Sequence, residues 1–551
     1  MTASGTAGAA DVCIVGSGPA GAILAASLAG RGHDVVVLEA GPRFAFESRT
    51  ARMDRALRPE HDDLDVWDMG GPRDRYTSSG PYEYDLNRHR VKGIGGTTLH
   101  WGGMTPRLHP EDFEMETRHG IGRDWPISYE DLEPYYLRAE EAMGVAGEPN
   151  RFSGPRSGPY PLAPAESSYS DEIFAEACSS LGIELVPKPL AINTEPYDGR
   201  SQCVGYGTCS PVCPSGAKYD ASVHIRKAEE RGARVVTRAP VQRLEHDDSG
   251  ERVVAAVHAT PDGDTRRQRA RQFVVACGAV ESIRLLLLST SPQYPDGLAN
   301  SSGVLGEYFM EHPGGGLVGR VDEPTRQHLV GYGTSMCEQF YDHDSGPEGS
   351  FLIDFGNNAG PEPIDLALEQ LSDSGRIIAG DVLAPFEGDP WGDALQERLS
   401  EEYGGYLRCN GWVEQPPRRE NKVSLDPSKT DDHGNPVPDL TLSFDGPESV
   451  ILERVRDLCR EILEECGATE IHGHWSPDDP YVGSHHMGGI RMGRDPAESI
   501  VNAELRAHDL SNLFVSSSGV FPTCGAANPT LTIAALTLRL ADHIHGRLSD
   551  G

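Results

Sequence analysis

The pattern of apolar and polar positions is most orderly at residues 11–41. Val12, Cys13, Ile14 and Val15 form an unbroken apolar run, as in a strand buried on both faces. Small residues from Ala20 to Ala29 predict a helix able to lie close against a sheet. A second unbroken run, Val35 to Leu38, predicts a second strand and closes a βαβ unit. Leu132, Tyr135, Tyr136 and Ala139 then recur at helical spacing behind a capping box of Ser128 and Asp131. A helix is predicted over 222–231, a strand from Val235 to Thr237, alternating strands over 252–276, and a strand–turn–helix over 273–289. From 313 to 479 short β-like runs interrupted by Gly and Pro predominate, with one amphipathic helix over 448–466. Its apolar face carries Ile451, Val455, Leu458, Ile462 and Leu463. A last helix is predicted over 530–543, capped by Asn528 and Pro529. Residues 41–90 are polar with few periodic apolar positions. They read as an excursion over the surface, either a lid or an ordinary long connection, and 144–170 as a Pro/Gly/Ser-rich connection.

The turn inside the βαβ unit carries the first chemistry. Gly16, Gly18 and Gly21 stand at G-x-G-x-x-G spacing between strand and helix. Gly16 permits the tight turn, Gly18 lets a pyrophosphate approach the backbone, and Gly21 lets the helix lie flat on the sheet. The helix N-terminus presents unpaired N–H groups to the phosphates. Glu39 closes the second strand, where an acid can take ribose hydroxyls. The motif is shared by NAD and FAD sites and does not choose between them.

Composition narrows the function classes. The chain has 551 residues, enough for two or more packed units, and no apolar run long enough to span a bilayer. The first ten residues lack the basic region and apolar core of a signal peptide, so a cytoplasmic location is the default expectation. A net charge of −35 argues against nucleic-acid binding, because phosphates would be repelled. Only six of the 49 basic residues are Lys, and such an acidic, Lys-poor surface suits high salt. Eleven cysteines in a chain of this size do not suggest a disulfide framework. Only Cys203, Cys209 and Cys213 cluster, in a Gly- and Pro-bent loop. Their spacing allows a soft metal site of three thiolates, or free thiols or a disulfide. Zinc would want a fourth ligand, and no other Cys or His is near; three thiolates match a [3Fe-4S] cluster.

Two further stretches carry a family resemblance. Residues 91–107 read VKGIGGTTLHWGGMTPR, and residues 484–493 read SHHMGGIRMG, with Asn528 and Pro529 following. Together with the first Gly turn, they resemble the glucose-methanol-choline (GMC) oxidoreductases, which use FAD. The resemblance implies an α/β fold: a Rossmann-like FAD-binding domain with a parallel sheet, plus a substrate domain on an antiparallel sheet. The FAD domain would be discontinuous, at 8–130, 222–312 and 480–548. Residues 200–221 would form a Cys-rich iron-sulfur loop and 313–479 the substrate-binding domain. Gly95, Gly96, Thr97 and Thr98 would run along the flavin, Val241 would reach the adenine, and Gly278 and Gly519 would also contact the cofactor. His100 stands where some relatives join a His covalently to the flavin 8α-methyl; the plainer reading packs it against the dimethylbenzene edge.

In this register His485 is the catalytic base, with His486 as its rival, and Asn528 is its partner. The Cys loop resembles that of bacterial FAD-dependent sugar dehydrogenases, which implies a [3Fe-4S] cluster with Cys203, Cys209 and Cys213 as ligands. The implied activity is oxidation of a CH–OH group of a sugar, sugar acid or polyol, with electrons leaving for a cytochrome or quinone. A small partner subunit bearing an export signal would then carry the enzyme to the periplasm or the outer membrane face. An O₂-using alcohol oxidase, and a flavin lyase or electron-transfer subunit, are the alternatives.

Overall fold

The computed structural model describes residues 8–58, 63–325, 333–343, 350–356, 392–473 and 480–550. Five parallel strands form the first sheet, in the order Leu513–Val515, Ala270–Val275, Ala10–Val15, Val35–Leu38, Arg234–Val236. Val12 is aligned with Val35 on one side and Gln272 on the other. The two central strands are buried on both faces, as their unbroken apolar runs require. Helix Pro19–Ala29 packs between this sheet and the helices Ser222–Glu230 and Thr530–Ser549, and nearly all of its residues are buried. Its small side chains make that possible. A Cβ on Gly21 would lie 2.0 Å from the Gly16 carbonyl oxygen, so only glycine lets helix and turn come this close.

A larger antiparallel sheet stands beside the first. Its order is Glu470–His472, Pro313–Arg320, Tyr406–Val413, Phe351–Gly356, Ser335–Cys337, Val186–Pro187, and Tyr481–Val482 also pairs with Pro313–Arg320. The sheet thus borrows strands from outside residues 313–479. On one face, helix Glu448–Glu465 buries Ile451, Leu452, Val455, Leu458, Ile462 and Leu463 against Leu317, Leu407 and Cys409. Burying each such side chain is worth roughly 1.5–3 kcal/mol. The other face is open. Along Tyr406–Val413, Arg408, Asn410 and Trp412 alternate with these core residues and point the opposite way.

The polar segment 41–90 is not a loose surface excursion. It holds the short helices Arg49–Ala56 and Asp63–Val66 and buries Val66, Trp67, Tyr84 and Leu86. Its anchors are isolated aromatic and aliphatic residues with no period. Trp67 donates its indole N–H to the Pro211 carbonyl at 2.8 Å and so ties the segment to the Cys-bearing loop.

Candidate active site

Between the two sheets lies a cavity of about 1300 Å³, lined from the Gly16 turn at one end to His485 at the other. At the turn, Gly16 has φ of +100°, and a Cβ there would meet the Ala276 carbonyl at 2.4 Å. Gly18 faces open space, and a Cβ on Gly96 would lie 2.8 Å from the Gly18 Cα. The turn and the segment around Gly96 therefore leave a narrow cradle floored by backbone, the setting a pyrophosphate needs. Glu39 sits beside it. Its Oε2 accepts from the Ser17 N–H at 3.0 Å and hydroxyl at 2.6 Å, and its Oε1 from the Gly41 N–H at 2.8 Å.

Thr97, Thr98, His100, Val241 and Gly278 line the same cavity. Burial pushes the His100 imidazole down to about 3, so it is neutral. Three of the expected contact residues do not line the cavity. Gly21 is taken up by helix packing, and Gly95 donates its N–H to the Ser17 carbonyl at 3.2 Å. Gly519 donates to Ser517 Oγ at 3.1 Å and accepts from the Ile490 N–H at 2.8 Å. Its neighbours Ser516, Ser517 and Ser518 line the wall instead.

At the far end the imidazole of His485 is held on three sides. Its Nε2 lies 2.8 Å from Asn528 Nδ2, its Nδ1 lies 3.0 Å from His312 Nδ1, and its backbone N–H donates to Glu311 Oε1 at 2.6 Å. The proton positions follow from one carbonyl. His312 Nε2 faces the Gly525 oxygen at 2.8 Å, an atom that only accepts, so His312 Nε2 carries the proton. Neutral His312 then has a bare Nδ1 that can only accept, which places the His485 proton on its Nδ1. His485 Nε2 is left without a proton, and its lone pair accepts from the Asn528 amide. Asn528 does not cap the last helix as its sequence position suggests. Pro529 holds the cap position, no side chain caps the helix, and the amide is spent on His485.

The electrostatics agree with neutral rings. Burial first, then the neighbouring His312, His486 and His89, hold His485 well below the ordinary histidine range. Burial brings His312 and His89 down to about 4 and His486 to about 3. His486 is turned away from the role of base: its Nε2 lies 2.7 Å from the Tyr84 hydroxyl. That hydroxyl donates to Glu311 Oε2 at 2.5 Å. Burial raises the Glu311 carboxyl to about 7, opposed by its three donors: Tyr84 and the backbone N–H groups of His485 and His312. The first turn of helix Thr530–Ser549 also borders the cavity, with Pro529, Thr530 and Ile533 in its wall.

The sequence reading missed Tyr84, His89, Glu311 and His312. None belongs to a spaced motif. The only signal for the last two was an acid and an imidazole at the entry of a strand, in Glu311-His312-Pro313.

Cys203, Cys209 and Cys213 lie on one loop whose residues Tyr206 to Thr208, Ser210 and Pro211 border the cavity. Cys203 and Cys209 pack with Leu190, Ile192 and Met104. Buried Lys218 donates to the carbonyls of Leu99, Trp101 and Cys209 at 3.1, 2.6 and 2.6 Å, stapling the loop to the segment that follows Gly96. Among the described residues no three His, Cys, Asp or Glu side chains converge as metal ligands. As folded here the three thiols share a loop without sharing a point, and they do not form a ready site for a cluster.

Family models described as GMC oxidoreductase match residues 85–314 and 417–537, and one for FAD dependent oxidoreductases matches 11–126. This chain belongs to the GMC oxidoreductases. It is an FAD-binding oxidoreductase that acts on CH–OH donors of the alcohol and sugar type. It is 33% identical to the fructose dehydrogenase large subunit of Gluconobacter japonicus, over 98% of this chain and 99% of that one. It is 30% identical to the 2-methyl-1,2-propanediol dehydrogenase of Mycolicibacterium austroafricanum, over 98% and 96%. The gluconate 2-dehydrogenase flavoprotein of Pantoea cypripedii is 26% identical, over 96% and 92%. Among solved structures, formate oxidase from Aspergillus oryzae superposes with a TM-score of 0.69 at 16% identity over the whole of both chains, a likeness of fold. The cradle at Gly16, Gly18 and Gly96 and the long cavity fit FAD, the cofactor of this fold.

Proposed function

We propose that this chain is a dehydrogenase that oxidises a CH–OH group of a sugar, sugar acid or polyol, with His485 as the base. The observation that carries the reading is the unprotonated Nε2 of His485, fixed by the relay from the Gly525 carbonyl through His312. That nitrogen faces the cavity, is neutral at working pH, and can take the hydroxyl proton as the C–H bond breaks. The Asn528 amide, which occupies that nitrogen at 2.8 Å, would turn to the substrate oxygen as the substrate hydroxyl takes its place. Bound FAD supplies the acceptor for the hydride. The N-terminus of helix Thr530–Ser549 directs its partial positive charge into the cavity, where the reaction leaves negative charge.

The electrons then pass to an external acceptor of the cytochrome or quinone class, by way of a partner subunit. Two of the relatives are a dehydrogenase large subunit and a dehydrogenase flavoprotein, which supports this part of the reading. A [3Fe-4S] relay at Cys203, Cys209 and Cys213 rests on their spacing in the sequence alone. Because the thiols do not converge, no step above depends on it.

The test is an anaerobic titration of the purified flavoprotein with a panel of polyols, aldoses, sugar acids and simple alcohols. Bleaching of the flavin by a polyhydroxylated member, with slow reoxidation by air and fast reoxidation by a quinone or ferricyanide, is the expected result. Rapid O₂ consumption would make the enzyme an oxidase. No bleaching by any member would overturn the reading.

A further inference from the structure

The floor of the cavity is the open face of the antiparallel sheet. In its middle, Asn410 is aligned across the strands with Gly316 on one side and Asp354 on the other. Trp412, two residues on, is aligned with Gly314 and Leu352, and its ring stands 6.0 Å from the His485 ring, centre to centre. Two glycines keep this floor open. A Cβ on Gly316 would sit 2.2 Å from Asn410 Oδ1, and one on Gly314 would sit 2.7 Å from the Trp412 ring. Lys188, reaching in from the edge of the sheet, donates its ammonium to Asp354 Oδ1. Among the described residues, the remaining carboxylate oxygen, Oδ2, has a long contact of 3.4 Å with the Asn410 amide. Asp354 and Asn410 both line the cavity and both keep hydrogen-bonding capacity directed into it.

We infer that Asn410, Asp354 and Lys188 form a hydroxyl-reading subsite that selects a polyhydroxylated chain, its reacting carbon at His485 and its distal hydroxyls on this row. The inference rests on the dehydrogenase reading above and adds the residues that choose its substrate. One step of strand alternation separates Trp412 from Asn410, about 7 Å. A substrate held at His485 reaches the row only if it continues for several carbons. The row interleaves acceptors (a carboxylate oxygen, an amide oxygen) with donors (an amide NH₂, an ammonium). A hydroxyl both donates and accepts and so satisfies either kind. A monohydric alcohol would displace water from these groups and give nothing back, and such sites reject analogues that lack the hydroxyl strongly.

The experiment measures binding through perturbation of the oxidised flavin spectrum, with sorbitol, glycerol and 1-propanol as probes, in the holoenzyme and in Asn410→Leu and Asp354→Asn. Flavin content and melting temperature accompany each protein. Asn410→Leu is the gentler change, since Asp354→Asn deprives a buried lysine of its counter-charge. The expected order of affinity is sorbitol, then glycerol, then 1-propanol. The sorbitol-to-propanol ratio should fall about tenfold in Asn410→Leu and about tenfold to hundredfold in Asp354→Asn, as for a lost neutral and a lost charge-assisted hydrogen bond. Equal binding of sorbitol and 1-propanol, or a ratio unchanged in a folded, flavin-loaded Asn410→Leu, overturns the subsite even if the alcohols are oxidised. Tight sorbitol binding that depends on Asn410 but never bleaches the flavin would keep the subsite and overturn the polyol-dehydrogenase reading instead.

Discussion

Replacing His312 by Leu tests the proton arrangement on which the base depends. His312 is fully buried, and its two ring nitrogens connect the Gly525 carbonyl to His485 Nδ1. Without it the His485 Nδ1–H has no acceptor, and a buried unpaired polar group costs about 1–3 kcal/mol. The imidazole avoids that cost by moving its proton to Nε2, where the Asn528 amide can rotate to accept it. The wrong tautomer then has its proton where the substrate's should go. A bias of 1–3 kcal/mol corresponds to about 5- to 150-fold in the population of the competent ring. Flavin reduction by a good substrate, followed anaerobically in a stopped-flow instrument, should slow by that factor in His312→Leu. His485→Ala removes the base itself and should slow by about 10²- to 10⁴-fold while FAD stays bound.

The double variant decides whether the two residues act as one unit. If His312 works only through His485, His312→Leu/His485→Ala reduces the flavin no more slowly than His485→Ala alone. His312→Gln, which carries both an acceptor and a donor, should recover part of the lost rate. Full additivity of the two losses, or a wild-type rate in His312→Leu, would refute the reasoning. The first would give His312 an independent role, and the second would show that the tautomer is fixed by something else.

Four other outcomes follow from the same geometry. Because His485 is held well below the usual histidine range, the flavin-reduction rate should show no acid limb near pH 6.5, only one well below it. The buried histidines also tie stability to pH. His89, His100, His224, His312 and His486 stay neutral in the fold down to about 3–4 and protonate near 6.5 when unfolded. Stability is therefore full above 6.5, and each group costs about 1.4 kcal/mol per pH unit below it. Glu311 and Asp112, raised to about 7, act in the opposite sense between their unfolded values and 7. The raised Glu111, Glu338, His109 and His343 also act in that sense, but the lowered histidines outnumber them. The urea midpoint should be clearly lower at pH 5.5 than at pH 7.5, and an unchanged midpoint would contradict the burial of these rings. Gly21→Ala puts a Cβ 2.0 Å from the Gly16 oxygen and should cost about 1–3 kcal/mol, with reduced flavin content read from the visible-to-ultraviolet absorbance ratio. Cys209→Ser should abolish any iron found by metal analysis of the wild type yet leave flavin reduction by substrate intact; loss of both would place Cys209 in the reduction step itself.

The legible parts of this molecule are those where one local segment states its own constraint. The run Val12 to Val15, the Gly16 turn and the Ala-rich helix are each dictated by neighbours within a few residues, so spacing alone predicts them. The antiparallel sheet was legible as β-like runs but not in its membership. Val186–Pro187 joins it through a pairing with Ser335–Cys337, far away in the chain and only two residues long. The segment 41–90 was misread because its anchors, Trp67 and Tyr84, are single aromatic residues whose burial comes from distant partners, Pro211 and Glu311.

The candidate site divides in the same way. His485 could be found because a Gly pair marks its turn, and Asn528 because Pro529 follows it, yet neither residue shows in sequence what makes the imidazole a base. That property comes from His312, 173 residues away, and from the carbonyl of Gly525, 213 residues from His312. A carbonyl oxygen belongs to every residue and leaves no trace in composition or pattern. It acts here because a Cβ on Gly525, at φ of +54°, would collide with the Tyr341 hydroxyl at 2.5 Å and Asp112 Oδ1 at 2.6 Å, so the backbone is free to turn its oxygen toward His312 only as glycine. The chemistry of the site thus rests on a backbone orientation set by a packed wall behind it. A substitution in that wall that leaves every residue facing the cavity unchanged should still alter the protonation of the base.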